Sequence, residues 1–382
     1  MISTRTLSGI GAAVLSLAGV ALAGGQTVPA PRPPMAEEVF TNVQVLKGIP
    51  VNQFMETMGF FSASLAADCT FCHVTESGGS WARYADDNAH KRTARRMVLL
   101  ASAINRDNFG GRQVVTCYTC HRGTNRPLVT PSLAALYGAS TSDEPDDLIA
   151  PAPGGASADQ ILNKYIQALG GAERLAKLTS FVAKGTYQGY GDPEKRPVDV
   201  FAKAPGQRAT IVRAPDGDST TTYDGRAGWI AAPLTARPVP VLALAGGDLD
   251  AARLDGALSF PAGIKTALTG WRVGVSATID DRDVQVVQGT TAGRAPATFY
   301  FDVKSGLLVR LVRYADSPVG RIPMQTDYAD YRDVSGVKMP FRWTSTWLDG
   351  RSTIELSEVR PNIAIAPARF AKPAPPAPQR AR

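Results

Sequence analysis

Apolar positions along the chain follow two rhythms, helical spacing in the first part and alternation in the second. Val51, Phe54, Met58, Phe61 and Leu65 recur at helical spacing and predict a helix that begins near Pro50, a residue suited to a first turn. Gly78, Gly79 and Trp81 mark a loop. A second helix is predicted over about 88–105, with Ala94, Met97, Ala101 and Ile104 on one face, before Gly110-Gly111 breaks the chain. Ser157-Ala-Asp-Gln160 reads as a capping box that opens a further helix with Ile161, Leu162, Tyr165, Ile166 and Leu169 inside, closed by Gly170-Gly171. Beyond Phe181 strands dominate, among them 181–187, 198–203, 220–223, 284–288, 298–302, 307–314, 339–347 and 352–359. Lys304-Ser305-Gly306, Ser335-Gly336 and Asp349-Gly350 are hairpin signals, and residues 248–268 interrupt the strands with one or two short helices. Asp280, Asp281 and Asp283 read as a turn, not a metal site. Tyr314, Tyr328, Tyr331, Trp343 and Trp347 either line a concave apolar pocket or fill the core and one sheet face.

A chain of 382 residues has room for two domains, and its 28 Pro cluster near 29–34, 145–153 and 373–378. The organisation expected is a signal peptide (1–23), a Pro-rich spacer (24–36), a mainly α domain (37–127), a linker (128–156), an α+β domain with an antiparallel sheet (157–372) and a Pro-rich tail (373–382). Arg5, an apolar run over 7–23 and the terminal Ala21-Leu22-Ala23 carry the signal-peptide reading. The run is short for a membrane span, and no Cys for a lipid anchor precedes Cys69. The chain is therefore read as exported and periplasmic, soluble or membrane-associated. A net charge of +7 raises nucleic acid as a partner, which export excludes. Acidic redox partners, an anionic membrane surface, or a solvated face remain.

The chemistry lies in two runs, Cys69-Thr-Phe-Cys72-His73 and Cys117-Tyr-Thr-Cys120-His121. Each is a C-x-x-C-H motif, in which two thiols add to one porphyrin and the adjacent imidazole supplies an axial nitrogen to its iron. All four Cys belong to these motifs, and two of the three His directly follow them. A four-Cys zinc site would explain the thiols but not those two His; two disulfides are the other alternative. Two covalently bound c-type haems are expected, on Cys69 with Cys72 and on Cys117 with Cys120, with His73 and His121 as iron ligands. Each predicted helix also offers a thioether ahead of its motif, Met58 and Met97, as a sixth ligand that would raise the reduction potential. Core packing is the alternative role for either Met. Met55 rivals Met58, and His90 is a fallback ligand on the polar start of the second helix. Arg95 or Arg96 is a candidate partner for a haem propionate, or simply solvated.

These residues resemble the cytochrome c subunit of bacterial photosynthetic reaction centres. The matching runs are Val43-Gln44-Val45-Leu46, Phe54 to Met58, Cys69 to His73, Ala94-Arg95-Arg96-Met97 and Val115 to Gly123, within about 36–127. The resemblance implies axial methionines at Met58 and Met97. It departs from that family in haem number, with cysteines for two rather than four, and in lacking the lipid anchor often seen there. The order of a leading helix followed by an antiparallel meander resembles periplasmic LolA/LolB-like half-barrels. The fold expected is thus multidomain: a mainly α dihaem cytochrome domain, then an α+β antiparallel half-barrel. No catalytic residue is assigned, since residues 157–372 hold no His and no Cys. The function expected is electron transfer to and from redox proteins or a membrane electron-transfer complex outside the cytoplasm. The alternatives are a peroxidase-like haem enzyme with one open iron position, and a haem-based sensor or carrier whose half-barrel binds an apolar ligand.

Overall fold

In the computed structural model, residues 32–73, 80–127, 129–130, 149, 152, 154–189, 191–234, 237–290 and 296–376 are described. The signal-peptide residues and most of the 128–156 linker lie outside this set. The end of the spacer does not: Met35 bridges Pro50, and α1 (Ala36–Val39) follows at once. Helix α2 (Val51–Leu65) starts after Pro50 and stops where Ala66 turns into the left-handed region. A single turn, α3 (Cys69–Cys72), carries the first motif. The long α4 (Ala89–Phe109) ends at Gly110, and α5 (Cys117–His121) carries the second motif. Helix and motif thus alternate twice, as expected.

The capping box at Ser157 and Gln160 opens α6 (Ala158–Ala168), and α7 (Ala172–Lys177) follows Gly171. The rest is one antiparallel sheet. Strands β1 (Ser180–Gly189), β2 (Arg196–Lys203), β3 (Gln207–Val212), β4 (Ser219–Tyr223), β5 (Gly228–Ala231) and β6 (Val241–Ala243) pair in succession. Helices α8 (Gly246–Leu258) and α9 (Ile264–Ala267) then interrupt the strands, beginning two residues before the region expected to do so. Strands β7 (Thr269–Val273) and β8 (Ala277–Ile279) both pair with β9 (Arg282–Thr290). Next come β10 (Ala297–Asp302), β11 (Leu308–Ser317), β12 (Gly320–Val334), β13 (Val337–Trp347) and β14 (Gly350–Pro361), and β14 closes onto β1. Asp280 and Asp281, both at positive φ, make the β8–β9 turn.

Alternation sets which face is buried: Val198, Val200 and Ala202 of β2 point inward, and Ile161, Leu162, Tyr165, Leu169, Leu254 and Ile264 cover them. Helices therefore fill the concave side of the half-barrel. Tyr328, Tyr331 and Trp343 border an inner cavity of about 110 Å³ beside Arg208 and Asp255, whereas Tyr314 and Trp347 lie outside its lining.

The helical segment does not stand apart from the sheet. The antiparallel order puts the β11–β12 and β13–β14 turns at the same end, and both tips meet α2. Leu46, Phe60 and Val98 share a cluster with Val319 and Ile322, and Leu348 packs against it. Gly320, at φ +149°, makes room for this: a Cβ there would lie 2.6 Å from the Phe60 ring. Gln53 Nε2 donates to Asp316 O (2.6 Å), and Gln113 Nε2 donates to Ser317 O (2.8 Å). Asn52 Nδ2 donates to Asp248 Oδ2 at 2.8 Å, next to Glu56. Burial first, and then the Asp248 charge, push the Glu56 carboxyl up to about 9, so it is protonated at neutral pH and bonds to Asp248.

Holding that proton has a consequence for stability. Unfolded, the carboxyl titrates near 4.3, so the folded state binds the extra proton between roughly pH 4 and 9 and loses stability as pH rises through that window. Glu56→Gln, which keeps the hydrogen-bonding shape without the charge, is expected to flatten that fall. Urea unfolding at pH 5, 7 and 9 measures it; a variant with the parent's slope would place the titration elsewhere.

Candidate haem sites

Both motifs are built the same way. At the first, Asp68 caps α3 by accepting from Thr70 N (2.9 Å), and one helical turn sets Cys69 and Cys72 on the same side. At the second, Thr116 caps α5 in the same manner and does the same for Cys117 and Cys120. The histidines are held alike. His73 Nδ1 lies 3.1 Å from Tyr84 O, and His121 Nδ1 lies 3.0 Å from Thr124 O. A carbonyl only accepts, so Nδ1 carries the hydrogen and Nε2 keeps its lone pair, the tautomer a metal-ligating imidazole adopts. Burial, and then Lys91, lower the pKa of His73, which favours the neutral ring.

Around the first motif lies a cavity of about 260 Å³ whose wall includes Phe54, Met55, Met58, Phe61, Cys72 and His73. Phe54, Met58 and Phe61 belong to the apolar stripe expected from sequence and are only half-buried, whereas Val51 of the same stripe is fully buried. The fully buried positions of α2 are Val51, Asn52, Thr57, Gly59, Phe60 and Ser64, on the side of the sheet. An apolar stripe turned toward a cavity that also holds two thiols and a free imidazole nitrogen fits a flat apolar group bonded at both. Arg95 reaches the same cavity and pairs with Asp87 at 2.8 Å; Arg96 points outward, to Thr93. The His90 ring packs at a tilt of 51° against Phe71 (4.4 Å between centroids), outside the cavity lining.

The second motif faces open apolar surface. Met97, Leu99, Leu100, Val114 and Tyr118 are five of the nine exposed large apolar side chains among the described residues, and all lie on α4 or near Cys117. Met97 is 41 % exposed, because α4 turns Val98 and Asn105 inward instead of the expected Met97 face. Half-buried Cys117 has its thiol pushed up to about 11 by burial, and burial also raises that of Cys72. Neutral sulfurs in these walls suit thioether bonds. All four Cys are free thiols, and no three His, Cys, Asp or Glu among the described residues converge on a metal ion.

Helix α4 ties the motifs together through residues that sequence reasoning passed over. Asn88 caps it by accepting from Lys91 N (3.0 Å) and donates to Cys72 O (2.6 Å). Buried Asn105 accepts from Val114 N (3.0 Å) and Val115 N (2.9 Å) and donates to Val115 O (2.7 Å), fixing the approach to α5. Gly123 N donates to Ser64 O at 3.0 Å, anchoring the end of the second motif on α2.

A family model described as photosynthetic reaction centre cytochrome C subunit matches residues 19–133. The photosynthetic reaction center cytochrome c subunit of Thermochromatium tepidum is 43% identical over 98 residues, 25% of this chain and 23% of that protein. Its counterpart from Roseobacter denitrificans is 32% identical over 117 residues, 27% of this chain and 31% of that protein. The chain thus spans a quarter to a third of the length of these curated relatives. The match supports a c-type cytochrome. Among solved structures, the LolA superfamily protein NE2245 from Nitrosomonas europaea covers 57% of this chain and 99% of its own, at 16% identity and a TM-score of 0.41. The resemblance to the reaction centre cytochrome subunit read from the sequence is thereby found.

Asn105→Ala is expected to cost about 1–3 kcal/mol, since it strips the buried partners from two N–H groups and one carbonyl. Amide hydrogen exchange at Val114 and Val115 should rise with it; unchanged protection would show that another group holds this approach.

Proposed function

We propose that the protein is an exported dihaem c-type cytochrome that passes electrons between redox proteins, or to and from a membrane electron-transfer complex, outside the cytoplasm. The observation that carries this reading is the repeated Nδ1–H to carbonyl bond, which leaves the Nε2 atoms of His73 and His121 free beside paired thiols. Cys69 with Cys72, and Cys117 with Cys120, would hold the two groups covalently, and His73 and His121 would ligate their irons. Haem iron supplies one-electron chemistry, with a potential set by axial ligand, burial and nearby charge. The protein's part is to hold each ring, fix the imidazole tautomers and keep water from the first site with Phe54, Phe61 and Val98.

Met58 is the sixth ligand proposed at the first site, with Met55 as its rival on the same cavity wall. Met97 is proposed at the second. The exposure of Met97 favours a second reading for that site alone, an iron with an open position as in a haem enzyme.

A pyridine haemochrome assay with metal analysis should give two haems and no zinc per chain; one haem, or stoichiometric zinc, overturns the reading. Met58→Ala is expected to abolish the thioether–Fe(III) charge-transfer band of the first haem, to lower its potential and to admit carbon monoxide. Met97→Ala is expected to do so at the second haem, and Met55→Ala at neither. Carbon monoxide binding to the second haem of the parent protein would favour the open-position reading.

A further inference from the structure

We propose that Asp349, at the tip of the β13–β14 hairpin, is a wall residue of the first haem site whose negative charge lowers that haem's reduction potential. The inference deepens the function proposed above and rests on the first site holding a haem. It brings the half-barrel into the redox chemistry of the helical segment.

The hairpin loop consists of Leu348 and Asp349, because Trp347 pairs with Gly350. Leu348 enters the apolar cluster around Phe60, which anchors the tip on α2. Asp349 then lies against Gly59: a Cβ at that position would come within 3.0 Å of Asp349 Oδ2. Gly59 sits one residue from Met58, and Asp349 lines the same cavity as Met55, Met58, Cys69, Cys72 and His73. A glycine in mid-helix weakens the helix, so its presence here has a packing reason, the close approach of this carboxylate. Among the described residues Asp349 makes no hydrogen bond or ion pair. Of the cations on the same cavity, Arg95 pairs with Asp87 and Lys91 bonds to the carbonyls of Tyr84 and Asp86, so neither is bonded to Asp349, and most of the remaining wall is apolar.

Oxidised haem iron carries one more positive charge than reduced iron. A fixed carboxylate beside it favours the oxidised state, and more strongly once the ring excludes water between them. The residue comes from the sheet, so the potential of the first haem depends on the hairpin being docked. The same strand β13 contributes Met339 and Trp343 to the inner cavity of the half-barrel.

The test is a spectroelectrochemical titration of the full-length holoprotein, with the first haem identified by its loss from the Cys69→Ala, Cys72→Ala double variant. Asp349→Asn keeps a residue suited to a tight turn and removes the charge. It should raise the first midpoint potential, increasing the Fe(II)/Fe(III) ratio at the parent's midpoint by about threefold or more, with the second haem unmoved. Asp349→Glu should stay near the parent. Gly59→Ala, which improves helix propensity but crowds the Asp349 carboxylate away from α2, should shift the first haem in the same direction as Asp349→Asn. Hydrogen exchange at Leu348–Gly350 should be slower in the holoprotein than in the double variant. An unchanged first potential in Asp349→Asn, or equal shifts of both haems, overturns the proposal. A parent protein with no haem on Cys69 and Cys72 overturns the underlying site reading instead, and the proposal with it.

Discussion

Asn52 and Glu56 hold the polar side of α2 against Asp248, and the orientation of that helix decides what the first site is made of. Had α2 followed the usual rule, its apolar stripe would have packed on the sheet and its polar side would have faced solvent. Here the amide of Asn52, the protonated carboxyl of Glu56 and the small residues Thr57, Gly59 and Ser64 occupy the buried side. Asp248, Ala245 O and Gln53 O receive the donors of Asn52, Glu56 and Thr57, while Asn52 Oδ1 is buried without a partner among the described residues. The apolar residues are thereby released to build a cavity wall. Turning α2 by half a revolution would take the apolar wall from the cavity and leave Asp248 without Asn52 and Glu56.

A second constraint runs along α4. Asn88 and Asn105 lie 17 residues apart, so they stand about 25 Å apart on a helical rise of 1.5 Å per residue. Each grips backbone at one motif, the first at Cys72 and the second just before Cys117. A stiff rod with a clamp at each end gives the motifs a fixed separation, which two loops would not. Val98, midway, borders the first cavity and also the cleft beside Cys117. The two motif regions are therefore neighbours across one helix.

Much of this architecture was legible because it depends on local signals. The two C-x-x-C-H runs, the capping box at Ser157 and Gln160 and the turn residues at Asp280, Ser305 and Ser335 each act within a few residues, and the elements formed where those signals stood. The face of a helix that is buried is a different matter, since it depends on what arrives from far along the chain. Periodicity put Met97 on an inward face, yet Val98 and Asn105 turn inward because Val319 and the loop at Val115 meet them there. No local pattern marks Asp349 as a cavity residue, because it reaches Gly59 across 290 positions of sequence. The one trace was Gly59 itself, an unexplained glycine inside an otherwise good helix.

The docking of two hairpin tips on α2 changes what the half-barrel means for the cytochrome segment. Antiparallel pairing makes β11 to β14 a single lattice, so a shift of register or tilt in one strand is passed to the turns at its ends. The inner ends of these strands carry Leu308, Tyr331 and Met339 around the concave cavity, while the opposite ends carry Val319, Leu348 and Asp349 onto α2. Helix α8 closes the loop between the two regions: Asp255 borders the cavity, and Asp248, two turns earlier, holds Asn52 and Glu56. Strands and helix therefore each link the cavity to α2. A change at the cavity that moved β13 without α8 would shear the seam at Gly59, and one that moved both would carry α2 with it.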